Sequence, residues 1–210
     1  MVFFYACIHM PSYVSLDKGV PICLSDEDWL DPCDTSTADF GEKDLVIVLD
    51  KDETGGSLFD RLAVEGANLL ITTLQQLEDG TASRTKQDDT KSSYAKMLTK
   101  DMGNLDFSKD AVELERLIRG LNPWPSAYTH FQEKLLKIYK AEVITEEKMD
   151  AMNSLNAQPG TIVLVDKKSF VVRCKSGGLR ILNLQLEGKK RMDTAAFLLG
   201  NKLEAGMQLS

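Results

Sequence analysis

The chain has 210 residues, 43% apolar and 27% charged, with 25 Lys and Arg against 32 Asp and Glu for a formal net charge of -7. These values exclude a disordered, fibrous or collagen-like chain and leave room for one large domain or two small ones. Apolar runs such as Leu69-Leu70-Ile71 and Phe197-Leu198-Leu199 fall far short of the roughly 20 residues that cross a bilayer, so no membrane partner is expected.

In chain order, the apolar start that contains Cys7-Ile8-His9 lacks the basic flank of a secretory signal. Cys7, Cys23, Cys33 and Cys174 are unevenly spaced and form no Cys-x-x-Cys pair, so neither a disulfide scaffold nor a metal centre is expected and the setting reads as cytoplasmic. The acidic run Ser25 to Asp34 gives no secondary-structure signal. Asp44 to Asp50, with Val46, Ile47 and Val48 at its centre, predicts a strand. A helix follows from a cap at Ser57-Leu58-Phe59-Asp60, with Phe59, Leu62, Ala63, Gly66, Leu70, Leu74 and Leu77 on one face and an end near Gly80. Residues 80 to 93 are polar and aperiodic, as an exposed connection would be.

A second helix is predicted after Ser108, with Leu114, Leu117, Ile118 and Leu121 facing inward. It stops at Asn122-Pro123-Trp124-Pro125, where a domain boundary is expected. Short strands follow at Leu136 to Tyr139, Thr161 to Val165, Ser169 to Cys174 and Leu179 to Leu186, separated by tight-turn sequences, and they predict a small β-barrel. A last helix spans Asp193 to Leu199. Charge divides along the chain. Residues 131 to 210 carry 13 Lys and Arg against 9 Asp and Glu, while residues 1 to 130 carry 12 against 23. A basic part on an acidic body can attract phosphates that the whole-chain charge would repel.

Four stretches, Glu53-Thr54-Gly55-Gly56-Ser57-Leu58-Phe59-Asp60, Tyr94-Ala95-Lys96-Met97-Leu98-Thr99-Lys100, Ile118-Arg119-Gly120-Leu121-Asn122-Pro123-Trp124-Pro125-Ser126-Ala127 and Leu184-Gln185-Leu186-Glu187-Gly188-Lys189-Lys190-Arg191-Met192, resemble in order and spacing the methionyl-tRNA formyltransferase family. The resemblance runs from about Lys51 to Ser210. It implies a Rossmann-like domain that binds 10-formyltetrahydrofolate, a linker, and an OB-like barrel that helps hold initiator methionyl-tRNA. No DNA partner is implied. The reaction moves a formyl group onto the free α-amine of the esterified methionine. That attack needs a donor for the developing oxyanion and a base for the amine proton. The family meets the need with an Asn, a His and an Asp in segments of the form Asn-x-His-x-Ser-Leu-Leu-Pro-x-x-Arg-Gly and Leu-Asp-Thr-Gly-Asp.

Setting Cys7-Ile8-His9 against the first segment puts His9 at the catalytic His and Cys7 in place of the Asn; setting Leu30-Asp31-Pro32-Cys33-Asp34 against the second puts Asp34 at the Asp. Met10 to Val20 matches almost nothing of the intervening segment. The reading adopted is therefore that residues 1 to 43 are a divergent leader, from a frameshift, a misassigned start or a decayed gene. Residues 44 to 110 are then an α/β remnant of the catalytic domain, 111 to 130 the linker helix with Asn-Pro-Trp-Pro, and 131 to 210 the OB-like domain, α+β overall. Such a chain is expected to be monomeric, weakly active or inactive, and prone to aggregate through residues 1 to 110, where missing strands leave edges and apolar faces bare.

For tRNA the candidates are Arg116, Arg119, Arg173, Lys189, Lys190 and Arg191, since phosphate neutralisation supplies sequence-independent affinity. Lys167 and Lys168 fit a solvated turn equally well. Trp124 reads as packed, with nucleotide stacking the alternative, and His130 as structural or exposed. Two other functions compete. A stand-alone tRNA-binding module would use the barrel without chemistry. A formyltransferase for a sugar amine is disfavoured by the Gly-Lys-Lys-Arg-Met element, which a small substrate does not need.

Overall fold

The computed structural model describes residues 13–17, 20–22, 45–82, 96–152, 154 and 156–210. The chain divides into two compact units, Met1–Met97 and Leu98–Ser210.

In the first unit, β1 (Tyr13–Asp17), β2 (Val20–Ile22) and β3 (Leu45–Val48) form a sheet in the order β2-β1-β3. Both pairings are antiparallel, with Ser15 opposite Ile22 and Tyr13 opposite Val48. The expected Rossmann-like remnant would make β3 a parallel strand, and the described sheet differs from it in direction. Two of its strands also lie in the leader from which no secondary structure was expected. Helix α1 (Gly55–Glu78) starts at a reciprocal cap: Ser57 N–H donates to Thr54 Oγ1 at 3.1 Å and Thr54 N–H donates to Ser57 Oγ at 2.9 Å. Only Gly55, Leu58 and Leu62 are buried along its 24 residues. The rest of the predicted inward stripe is open, with Leu70 58%, Leu74 55% and Leu77 50% exposed.

The second unit is built on a six-stranded antiparallel sheet. Its strands are β4 (Ala127–Phe131), β5 (Lys134–Ile144), β6 (Ile162–Val165), β7 (Phe170–Arg173), β8 (Gly178–Leu186) and β9 (Met192–Asp193). They run in the order β4-β5-β8-β7-β6, with β9 beside β8. The segment 206–210 links the two outer strands. Ile162 N–H donates to Met207 O at 2.7 Å and Leu209 N–H to Gly160 O at 2.9 Å, while His130 N–H donates to Ser210 O at 2.7 Å. The unpaired edges that an open sheet would present are in this way occupied.

Helix α2 (Ala111–Gly120) buries Ala111, Leu114 and Ile118 against the sheet, with Leu117 packed at the rim. The core continues through Ile138, Ile162, Phe170, Ile181 and Leu184, all fully buried, to Phe197 on α4 (Thr194–Gly200). The short helix α3 (Glu146–Ala151) seats Met149 against Ile144 and Val171. The Asn122–Pro125 segment lies within this unit: Asn122 Nδ2 donates to Tyr139 O at 3.2 Å and Ser126 Oγ to Pro123 O at 2.7 Å. Trp124, expected to be packed, is 54% exposed. The bulky ring is simply left on the outside of a loop whose neighbours make the inward bonds.

Candidate nucleic-acid interface

The structure sorts the predicted arginines by what already occupies them. Arg173 is 6% exposed. Its guanidinium donates to Glu146 Oε2 at 2.9 Å and Oε1 at 2.7 Å, and to Gly177 O at 3.2 Å. Glu146 also accepts the Gly177 N–H. The Arg173 bonds first, and the Gly177 N–H second, hold the Glu146 carboxyl down at about 2. A guanidinium this buried and held by three bonds presents little surface to a phosphate, so Arg173 is not carried forward among the proposed tRNA contacts. Its work is to tie α3 to the β7–β8 turn.

On α2, Arg119 Nε donates to Glu115 Oε1 at 2.6 Å, one helical turn back, and Arg116 is half-buried. Lys167 and Lys168 are exposed on the β6–β7 turn. Asp166 holds that turn by accepting from Lys168 N–H at 2.6 Å and Ser169 N–H at 2.7 Å. The Lys168 N–H above all, with Ser169, keeps the Asp166 carboxyl below the usual carboxylate range.

Lys189, Lys190 and Arg191 differ from all of these. They are exposed together on the turn between β8 and β9, where Gly188 takes φ 73 and Lys189 N–H closes back on Leu186 O at 2.9 Å. The turn is anchored to the sheet, because Gln185 Nε2 donates to Lys189 O at 2.8 Å and Tyr139 OH donates to Gln185 Oε1 at 2.9 Å. Arg191 lies over that same ring, its Cζ 4.3 Å from the Tyr139 centroid, and its Nε donates to Asn183 Oδ1 at 2.5 Å. Asn183 Nδ2 in turn donates to Asp193 Oδ1 at 2.9 Å.

The outer face of the sheet continues this surface. Lys137 stands opposite Tyr128 on β4 and Gln185 on β8, and the ladder slips on either side of Lys140, where such irregularities re-aim side chains. Tyr128 meets the His130 ring edge-on at 6.0 Å, and His130 Nδ1 lies 3.1 Å from Ser210 O, a structural use as expected. Tyr139, Asn183 and Gln185 were not singled out from the sequence. The alternation of Leu135, Lys137 and Tyr139 with buried Leu136 and Ile138 is the signal that marks the outer face.

Cys7, His9 and Asp34 lie outside the described residues. Among the described residues no group of three His, Cys, Asp or Glu could hold a metal ion, and no helix is long and apolar enough to cross a membrane. A shallow depression of about 520 Å³ lies between the β6–β7 turn and α4, lined by Val165, Asp166, Lys167, Leu198, Asn201 and Lys202 among others.

An antiparallel α+β unit with a helix-plugged core and a basic turn agrees with what comparison with known proteins returns. Residues 97–202 match the model of the formyl transferase, C-terminal domain, and the chain belongs to that family. Among curated proteins it is similar to the methionyl-tRNA formyltransferase of Lachnospira eligens, 53% identical over 163 residues that make up 78% of this chain and 51% of that protein. It is also similar to the methionyl-tRNA formyltransferases of Agathobacter rectalis, at 47% identity over 74% of this chain and 48% of that one, and of Geobacter metallireducens, at 43% over 78% and 50%. The chain thus spans about half the length of the curated relatives it matches. Among solved structures, a variant of HypX from Aquifex aeolicus aligns with TM-score 0.55 and 15% identity over 96% of this chain and 34% of that one. HypX in complex with tetrahydrofolic acid aligns with TM-score 0.51 and 14% identity over 78% and 30%. At these identities the likeness is one of fold.

Proposed function

We propose that this protein belongs to the formylation of methionyl-tRNA and that its second unit is the part that grips the tRNA. The observation that carries this reading is the exposed turn Lys189-Lys190-Arg191, braced on Tyr139, in a domain of the formyl transferase C-terminal family. Three cations on one braced turn, with Lys137 on the adjoining strand face, can neutralise successive phosphates. We read the sheet, joined at its edges by residues 206–210, as the OB-like barrel expected from the resemblance.

In this reading the formyl donor is 10-formyltetrahydrofolate and the acceptor is the methionine α-amine. The residues around the 520 Å³ depression do not fit such a donor. None of the buried polar side chains, Ser126, Thr129, Ser154, Ser169, Arg173 or Thr194 in this unit, lines it to hold a pterin ring. No step of the transfer is therefore assigned to the described residues, and with residues 1 to 43 read as a divergent leader, the alignment of Cys7, His9 and Asp34 with the family's catalytic Asn, His and Asp is the alternative that turnover would support. The chain as it stands is taken to bind methionyl-tRNA while turning over little or no formyl group.

Binding and turnover test the two parts separately. The protein should bind methionyl-tRNA with salt-sensitive affinity. Changing Lys189, Lys190 and Arg191 together to Ala should lower the slope of log K against log salt by about 2 to 3. Supplied with 10-formyltetrahydrofolate, it should make no formyl-methionine above background. Turnover at the rate of a complete relative would overturn the view that the chain binds without catalysing, and an unchanged salt slope in the triple variant would overturn the assignment of the turn.

A further inference from the structure

We propose that Arg191 is a preset fork for a phosphodiester of the RNA backbone, and that Tyr139 and Asn183 are the positioning residues that set it. The inference rests on the reading of the second unit as an RNA-binding part. It goes further in naming how one cation is prepared for its ligand and by which neutral groups.

The other arginines of the second unit are engaged with carboxylates or, like Arg116, half-buried on α2. Arg173 is chelated by Glu146 and Arg119 is paired with Glu115, and Arg180 Nη1 lies 3.8 Å from Glu142 Oε2. Arg191 is fixed without any carboxylate. Its Nε–H is given to the neutral amide oxygen of Asn183, and its plane rests on the π face of Tyr139. Neither contact removes charge, so the guanidinium keeps its full positive charge while two of its ordinary freedoms, rotation about the chain and tilt of the plane, are restrained. The terminal nitrogens Nη1 and Nη2 have no protein acceptor among the described residues. An arginine offers its donors as a rigid fork whose spacing matches two oxygens of one phosphate, and this one is held with that fork open.

The supports are themselves held. Asn183 is oriented by its own Nδ2 bond to Asp193 Oδ1, which turns the amide oxygen toward Arg191. Tyr139 is oriented by its hydroxyl bond to Gln185, and Gln185 also ties down the Lys189 carbonyl. The same small network thus fixes the arginine and the lysine turn next to it. Asp193 and Glu187, the acidic side chains closest in sequence, accept from Asn183 Nδ2 and from the Leu135 N–H respectively. A long side chain ordered before its ligand arrives loses less entropy on binding, which is where the affinity gain comes from.

The test measures tRNA binding at low and moderate salt for the full chain and for Arg191→Lys, Tyr139→Leu, Tyr139→Phe, Asn183→Ala and the double variant Tyr139→Leu/Arg191→Lys. Loss of the fork in Arg191→Lys should weaken binding about tenfold. Tyr139→Leu and Asn183→Ala should each weaken it several-fold at an unchanged melting temperature, and Tyr139→Phe, which keeps the ring but loses the hydroxyl bond that orients it, should lie between the parent and Tyr139→Leu. The double variant should lose clearly less than the sum of the two single losses, because most of the effect of Tyr139 passes through the arginine. Additive losses would overturn the proposal by showing that Tyr139 touches RNA itself, and so would parent-like binding by Tyr139→Leu.

A second readout needs no RNA. In the NMR spectrum of the free protein the Arg191 Nε–H should be shifted by the Tyr139 ring and protected from exchange by its bond to Asn183; the ring shift should vanish in Tyr139→Leu and the protection in Asn183→Ala. An unshifted, freely exchanging Nε–H in the parent would overturn the preset geometry even if tRNA binds. Failure of the parent to bind tRNA, with the Nε–H signature intact, would instead overturn the RNA-binding reading and with it the choice of ligand. A shift of that resonance on adding inorganic phosphate but not tRNA would reassign the fork to a small anion.

Discussion

Arg173 and Arg191 are identical in a sequence and opposite in the fold. The partner that claims Arg173 stands 27 positions away, on a helix that the next strand pair brings back, and nothing in the local pattern announces it. Arg173 closes a strand and Arg191 a turn that leads into one, and only the long-range register decides which is buried. The Arg173–Glu146 pair makes a pH prediction. The carboxyl sits at about 2 in the fold against its ordinary 4.5, so the fold binds the proton less readily than the unfolded chain does. The stabilisation is complete above pH 4.5 and is lost as pH falls toward 2. Glu146→Gln should therefore flatten the melting profile across that window. With the Glu146 side chain 45% exposed, the loss at neutral pH should be about 1 to 2 kcal/mol, below that of a fully buried pair. A profile as steep as the parent's between pH 2 and 4.5 would refute it. Nearby, burial pushes the Cys174 thiol up to about 12. The folded protein should therefore leave Cys174 unlabelled by iodoacetamide at pH 8, with modification of its peptide appearing only in denaturant.

Helix α1 shows how an element can be legible while its environment is not. The recurrence from Phe59 to Leu77 and the stop near Gly80 placed its body and its end, both being local signals, whereas the cap read at Ser57 lies three residues earlier, at Thr54, with Ser57 returning the reciprocal bond from the first turn. Periodicity also says which face is apolar, but only the fold says whether that face is covered, and beyond Leu62 it is largely open, with Val64 61% and Ile71 58% exposed. Contiguous apolar surface of this kind drives association. Leu70→Gln/Leu74→Gln/Leu77→Gln should reduce the concentration-dependent association of the full chain seen in sedimentation, without moving the thermal transition of the second unit. Equal association in parent and variant would show that other surfaces are responsible. Strand β4 was missed for a related reason. Ala127, Thr129 and Phe131 point inward and alternate with Tyr128 and His130, but the hairpin to β5 turns through Gln132 and Glu133 at φ 50 and 64. Those are conformations usually signalled by Asn-Gly or Asp-Gly, so the turn residues concealed the hairpin. The strands from β6 to β8 were legible because Asp166-Lys167-Lys168 and Ser176-Gly177-Gly178 punctuate them openly. Gly177, at φ 71 with a Cβ position 2.6 Å from Ile144 O, is a turn that glycine alone fits.

Charge follows the division of the molecule. The unit Met1–Met97 contains 8 Lys and Arg against 18 Asp and Glu, and Leu98–Ser210 contains 17 against 14. The second unit also has what independent folding requires: a continuous apolar core from Leu105 to Leu209, a helix seated in it, and sheet edges joined by its own last residues. Produced as residues 97–210, it should melt in one cooperative transition and bind tRNA through the Lys189–Arg191 turn. Removing a net-negative unit lowers the repulsion that a polyanion meets, so this piece should bind tRNA at least as tightly as the full chain at 50 mM salt. That advantage should shrink at 0.3 M salt, where the Debye length has fallen to about 6 Å and distant charges no longer act. The direct contacts at the turn would survive that screening better, and their share of affinity should rise accordingly. Weaker binding by the piece than by the full chain at both salts would mean that the first unit contributes contacts of its own.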